Sequence, residues 1–133
     1  MIPYGRQDIN SEDINAVVEV LKSDYLTQGP VVPKFEKKLM EYTGAKYCAA
    51  VNSATSGLHI ACMALGLGPG DWLWTSPNTF VASSNAGLYC GARVDFVDIN
   101  PQTFNIDIGT LEQKLEKASQ QGNLPKVVVL VHF

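Results

Sequence analysis

The chain is 133 residues long, with 10 Lys+Arg against 13 Asp+Glu and 46% hydrophobic residues. That length supports one domain with a real core, and the composition fits a globular chain rather than a disordered one. The mixed charge excludes the basic stripe of a nucleic-acid binder. No apolar run reaches the roughly 18 residues of a membrane span.

The start, MIPYGRQDIN, is polar and lacks the apolar stretch of a signal peptide, so the chain is expected in the cytoplasm. Ile14, Val17, Val18 and Leu21 recur at helical spacing. Asn10 or Ser11 can cap that helix, with Glu12 and Asp13 in its first turn. SDYLTQGP reads as a loop by composition. Pro33 can open a second helix, KFEKKLMEYTG, that Gly44 ends. Lys46 to Val51 is short and apolar and predicts a strand.

The segment AVNSATSGLHIACMAL follows. Its polar knot, Asn52 to Gly57, leads into a helix apolar on nearly every side. GLGPGD is a turn, Trp72 to Thr75 a strand and SPNT a loop ending in a cap. Phe80 to Tyr89 reads as a helix, Ala92 to Ile99 as a strand and NPQTFNID as a turn. Thr110 to Ser119 is a charged amphipathic helix, and Val127 to Val131 an apolar strand. From residue 46 onward the order is therefore strand and helix in alternation. It predicts an α/β fold with a parallel sheet, right-handed crossovers and helices on both faces. A chain that stops just after an apolar strand leaves a sheet edge open. The expectation is an N-terminal part of a longer protein. Residues 1–45 would form a helical segment with a substrate loop, and 46–133 the first part of the α/β domain.

Ligands of open α/β sheets bind outside the carboxyl ends of the strands. The knot at 52–57 lies at such an end. A helix start offers unpaired N–H groups that suit a phosphate, and Ser53, Thr55 and Ser56 add hydroxyls. Capping alone needs one hydroxyl, so both readings stay open here. The second such corner brings Asn78, Thr79 and Phe80 to the same edge. There a cap and core ring compete with a ring stacked on a flat ligand. GLGPGD follows a helix and opens a strand, the reverse of a dinucleotide fingerprint. Cys48, Cys62 and Cys90 are far apart, and His59 and His132 have no partner at ligand spacing, so no metal site is expected. No lysine is placed for covalent chemistry; Lys46 and Lys126 begin strands, away from the expected ligand edge.

LTQGP, VNSATSGLH, GLGPGDWLWTSPNTFVAS, GARVDFVDINPQTFNID and VVVLVHF follow one another in register. In this series the whole chain resembles the N-terminal third of the DegT-type sugar aminotransferases. Its MIPYGRQDI start and DWLWTSP favour the members of pseudaminic acid synthesis. The resemblance implies the large domain of a fold-type I pyridoxal-phosphate (PLP) transferase, a three-layer α/β/α sandwich, working as a homodimer. It implies that Ala54, Thr55 and Ser56 hold the cofactor phosphate and that Phe80 stacks on its ring. Tyr4, Asp24, Tyr25, Leu26 and Thr27 would contact the nucleotide sugar. The implied reaction moves an amino group from glutamate to C4 of a UDP-linked 4-keto-6-deoxy N-acetyl sugar. The family's Schiff-base lysine and the aspartate paired with the pyridinium nitrogen lie beyond residue 133, so this chain alone is expected to be inactive. Two alternatives stand beside it: a sugar dehydratase of the same fold, and a non-catalytic binding module that kept the phosphate turn.

Overall fold

The computed structural model describes residues 5–133. The chain divides into two compact units, one reaching to Ala50 and the other spanning Val51–Phe133. The first unit holds α1 (Ser11–Lys22) and α2 (Val31–Thr43). Asn10 caps α1 through a reciprocal pair, accepting from the Glu12 and Asp13 N–H groups while Asp13 accepts from the Asn10 N–H. Helix α2 starts at Val31, two residues before Pro33, and ends at Gly44 in the left-handed conformation.

Residues 46–51 form no strand, which corrects the expectation from their apolar run. A strand is defined by its ladder, and among the described residues no ladder reaches this segment. The Ala50 N–H bonds the Glu36 carboxylate at 2.8 Å instead.

The second unit runs α3 (Ala54–Ala64), β1 (Trp72–Thr75), α4 (Ala82–Tyr89), β2 (Arg93–Phe96), α5 (Ile108–Gln121) and β3 (Val127–Val129). The strands form one parallel sheet in the order β2-β1-β3. From β1 the chain steps one way through α4 to β2, then back across β1 through α5 to β3. Right-handed crossovers in opposite directions put their helices on opposite faces. The packing agrees. Leu73 meets Cys62 of α3 and Ala86 of α4 on one face, and Trp74 meets Val97, Ile106 and Ala118 on the other. The result is a three-layer α/β/α arrangement.

Gly87 lets α4 approach closely: a Cβ there would sit 3.0 Å from the Leu73 Cβ. Strands β2 and β3 are shorter than the apolar runs suggest. Beyond Phe96 the chain turns, and Asn100 organises residues 100–105 by accepting from the Gln102 and Thr103 N–H groups. Helix α5 is longer than expected because Asp107 caps it, accepting from the Thr110 N–H at 2.7 Å. Hydrogen bonding to Thr110 holds the Asp107 carboxyl below its ordinary value. No helix among the described residues is long and apolar enough to cross a membrane.

Candidate functional site

Three helices begin at the carboxyl edge of the sheet, α5 among them because it follows β2. Helix α4 does so because it follows β1 directly. Helix α3 does so because its far end is pinned at the opposite edge. There the Lys126 ammonium donates to the Gly66 carbonyl at 2.7 Å and to Asp71 Oδ2 at 3.0 Å. The Lys126 N–H donates to the Trp72 carbonyl where β1 begins. With Leu58 and Cys62 packed on the core, α3 runs back about 16 Å at 1.5 Å per residue.

In the first turn of α3, Ser53 is the cap. Its Oγ accepts from the Ser56 N–H at 3.2 Å and lies 3.1 Å from the Ser56 Oγ, and its carbonyl accepts from the Gly57 N–H. The Ala54 and Thr55 N–H groups precede the first available carbonyl and have no intrahelical acceptor. Among the described residues the Thr55 hydroxyl has no hydrogen-bond partner. Capping thus uses Ser53 and Ser56 and leaves two backbone donors and one hydroxyl over. That arrangement suits an anion with several oxygens at the positive end of a helix.

The second corner differs from expectation. Helix α4 starts at Ala82, and neither Asn78 nor Thr79 caps it. The Thr79 hydroxyl instead pairs with the Ser83 hydroxyl at 2.7 Å. Phe80 lies in the loop before the helix with 75% of its surface exposed, so it is not a core ring of the described residues. Ser76, 1% exposed at the end of β1, keeps a buried hydroxyl with no partner among the described residues. Sequence reasoning passed over Ser76 and Ser83. The Thr79/Ser83 spacing of four was the readable signal for the second; nothing local marks the first.

Ala54, Thr55 and Ser56 therefore share one turn, and Phe80 shares their sheet edge. Asp24, Tyr25, Leu26 and Thr27 form an exposed loop of the first unit. Ser23 organises its backbone, its hydroxyl donating to the Val20 carbonyl and accepting from the Tyr25 N–H. Tyr4 lies outside the described residues. A recess of about 480 Å³ opens in the second unit at the start of α5 beside Asn105, Asp107 and His132. None of the four cofactor candidates lines it.

Several other titratable groups of the second unit have structural partners. Lys114 pairs with Asp95 at 2.7 Å, donates to the Phe96 carbonyl and lies over the Trp74 ring. Burial raises the Asp95 carboxyl, but bonds from Lys114 and the Phe96 N–H outweigh it and the net shift is downward. The bond from Lys126, then that from the Gly68 N–H, lowers Asp71. His59 packs on Tyr89 with ring centroids 5.3 Å apart. Burial, then the neighbouring Cys90, raises the Cys62 thiol, as for an inert core thiol. No group of three or more His, Cys, Asp or Glu among the described residues is arranged to hold a metal.

Comparison with known proteins adds to this geometry. Residues 7–133 match the model of the DegT/DnrJ/EryC1/StrS aminotransferase family. The chain is 42% identical over 132 residues to the spore coat polysaccharide biosynthesis protein SpsC of Bacillus subtilis, covering 99% of this chain and 32% of that protein. It is 46% identical over 119 residues to the UDP-4-amino-4,6-dideoxy-N-acetyl-beta-L-altrosamine transaminase of Campylobacter jejuni, covering 90% and 31%. Among solved structures it resembles NtdA from Bacillus subtilis with bound cofactor PMP. The TM-score there is 0.76 at 37% identity, over 90% of this chain and 26% of that one. The chain spans about a third of the length of the curated relatives it matches.

Proposed function

The chain belongs to the DegT/DnrJ/EryC1/StrS aminotransferase family, and from that premise we propose that it builds the phosphate- and ring-binding side of a PLP site for amination of a nucleotide-linked keto sugar. The observation that carries this reading is the first turn of α3. Its cap is complete, yet the Ala54 and Thr55 N–H groups and the Thr55 hydroxyl remain available at the ligand edge of the sheet. A phosphate fits that donor set. The exposed Phe80 ring at the same edge fits the face of a pyridine.

In this reading Ala54, Thr55 and Ser56 bind the cofactor phosphate, and Phe80 holds the ring flat and keeps water from that face. Bound there, PLP supplies the electron sink that lets an amino group pass between carbon skeletons. Residues 46–133 serve the cofactor, and the 1–45 segment serves the substrate through Tyr4, Asp24, Tyr25, Leu26 and Thr27. The proposed donor is glutamate and the proposed acceptor C4 of a UDP-linked 4-keto-6-deoxy N-acetyl sugar, the chemistry of pseudaminic acid synthesis. The name of the Campylobacter relative supports that sugar class. The proposed assembly is a homodimer, carried over from the resemblance, and the proposed setting is the cytoplasm.

The reactive lysine and the acid facing the pyridinium nitrogen are assigned to the part of the relatives that this chain does not span. Supporting this, Lys114 and Lys126 of the second unit are tied to Asp95 and Asp71, and Lys117 lies on the exposed side of α5. The test is to purify the protein at its natural length, record its visible absorbance and treat it with borohydride. It is then incubated with glutamate and the UDP-4-keto sugar and the products weighed. A yellow protein bleached by borohydride and an amino sugar of the expected mass support the reading. A colourless protein, or loss of water from the sugar in place of amino gain, overturns it.

A further inference from the structure

Phe80 presents a contradiction in local order. Its side chain is 75% exposed, yet its carbonyl is held by residues on both sides of it in the chain. Ser83, only 6% exposed, carries a hydroxyl that must find a partner. Its partner is Thr79, at 2.7 Å. The Thr79 hydroxyl also donates to the Phe80 carbonyl at 3.3 Å, and the Ser83 N–H donates to that same carbonyl at 3.0 Å. One assignment of protons satisfies all of these contacts. The Ser83 hydroxyl donates to Thr79 Oγ1, the Thr79 hydroxyl donates onward, and the Phe80 carbonyl accepts twice.

This network replaces the missing cap of α4. Val81 stands at the cap position in helical conformation with no side-chain bond to the helix, so Thr79 and Ser83 fix where the helix begins. They thereby hold the Phe80–Val81 peptide plane beside the ring. A ring held in place before its ligand arrives loses less freedom on binding than one on a loose loop.

We propose that Thr79 and Ser83 form a hydroxyl latch that sets the Phe80 backbone, making Thr79 a positioning residue for the cofactor ring. This rests on the reading of Phe80 as the stacking residue, so the experiment separates the two. In the natural-length protein, Thr79→Val, Thr79→Ser, Ser83→Ala and Phe80→Ala are compared by PLP titration of the apoprotein, visible circular dichroism of bound PLP and melting of the apoprotein. Val keeps the shape of Thr and loses the hydroxyl; Ser keeps the hydroxyl. Thr79→Val and Ser83→Ala are expected to weaken PLP binding about five- to tenfold and to alter the dichroism band. Thr79→Ser should restore both. Thr79→Val and Ser83→Ala lose the bonds that stand in for the cap, so their apoprotein melting temperature should fall slightly, and the dichroism band separates positioning from lost stability. Wild-type affinity and dichroism in Thr79→Val and Ser83→Ala, with Phe80→Ala weakened, overturn the latch while the stacking role stands. Wild-type affinity in Phe80→Ala removes the stacking role and the latch with it.

Discussion

At the amino edge of the sheet, Lys126 bridges the Gly66 carbonyl and Asp71, and Asp71 also accepts from the Gly68 N–H. At the carboxyl edge, a few residues along the same strands, the Ala54 and Thr55 N–H groups, the Thr55 and Ser76 hydroxyls and the Phe80 ring have no protein partner among the described residues. The first edge is closed on itself and can only stabilise. The second retains polar capacity that costs stability until water or a ligand meets it. Partnering, rather than residue type, separates the closed edge from the open one: Thr75, fully buried between them, donates to the Val129 carbonyl and belongs to the frame.

The contrast can be broken in several ways. The largest expected effect is on turnover. The 133 residues by themselves should show no glutamate-dependent amino transfer; product detected by mass spectrometry would place the reactive lysine within them. Next comes the frame itself. Leu73 is fully buried between α3, α4 and the sheet. Leu73→Ala should cost about 2–5 kcal/mol in urea unfolding.

Within the first turn of α3 the two roles should come apart. Ser53→Ala removes the cap and should cost about 1 kcal/mol of stability. Thr55→Val should leave the unfolding midpoint unchanged, since the Thr55 hydroxyl bonds nothing among the described residues. A Thr55→Val protein as destabilised as Ser53→Ala would make the turn structural throughout.

The smallest effect is in acid. Asp71 and Asp107 both have lowered folded values. Each contributes stability that is fully present above the unfolded carboxylate value near 3.8 and is lost as pH falls through the lower folded value. The urea midpoint should therefore decline as pH falls below the unfolded carboxylate value, and Asp107→Asn, which keeps a capping side chain, should shallow that decline.

Much of the frame was legible in the sequence because local chemistry and tertiary structure agree there. Asn10 caps α1 and Gly44 ends α2 with φ of 75°, as their residue types predict, whereas the Asp107 cap that lengthens α5 was passed over. The alternation of strands and helices gave the parallel sheet. The 46–51 segment was misread because an apolar run carries no information about whether a partner strand lies beside it. The start of α4 was misread for a related reason. Thr79 is a good cap by type, but its hydroxyl faces Ser83, and only the fold decides between those acceptors. The choice at Phe80 between core and ligand ring likewise turned on exposure, which residue type does not encode. The α3 turn was half legible: three hydroxyls exceeded what a cap needs, but which of them stayed free needed coordinates.

The most direct test compares the two edges in one assay. PLP affinity is measured by titrating the natural-length apoprotein, with Thr55→Val at the carboxyl edge set against Lys126→Met at the amino edge. The division of roles requires Thr55→Val to weaken PLP binding about tenfold at unchanged melting temperature. Lys126→Met should lower the melting temperature and leave PLP affinity as it was. Wild-type affinity in Thr55→Val would contradict the assignment of the α3 turn to the cofactor phosphate.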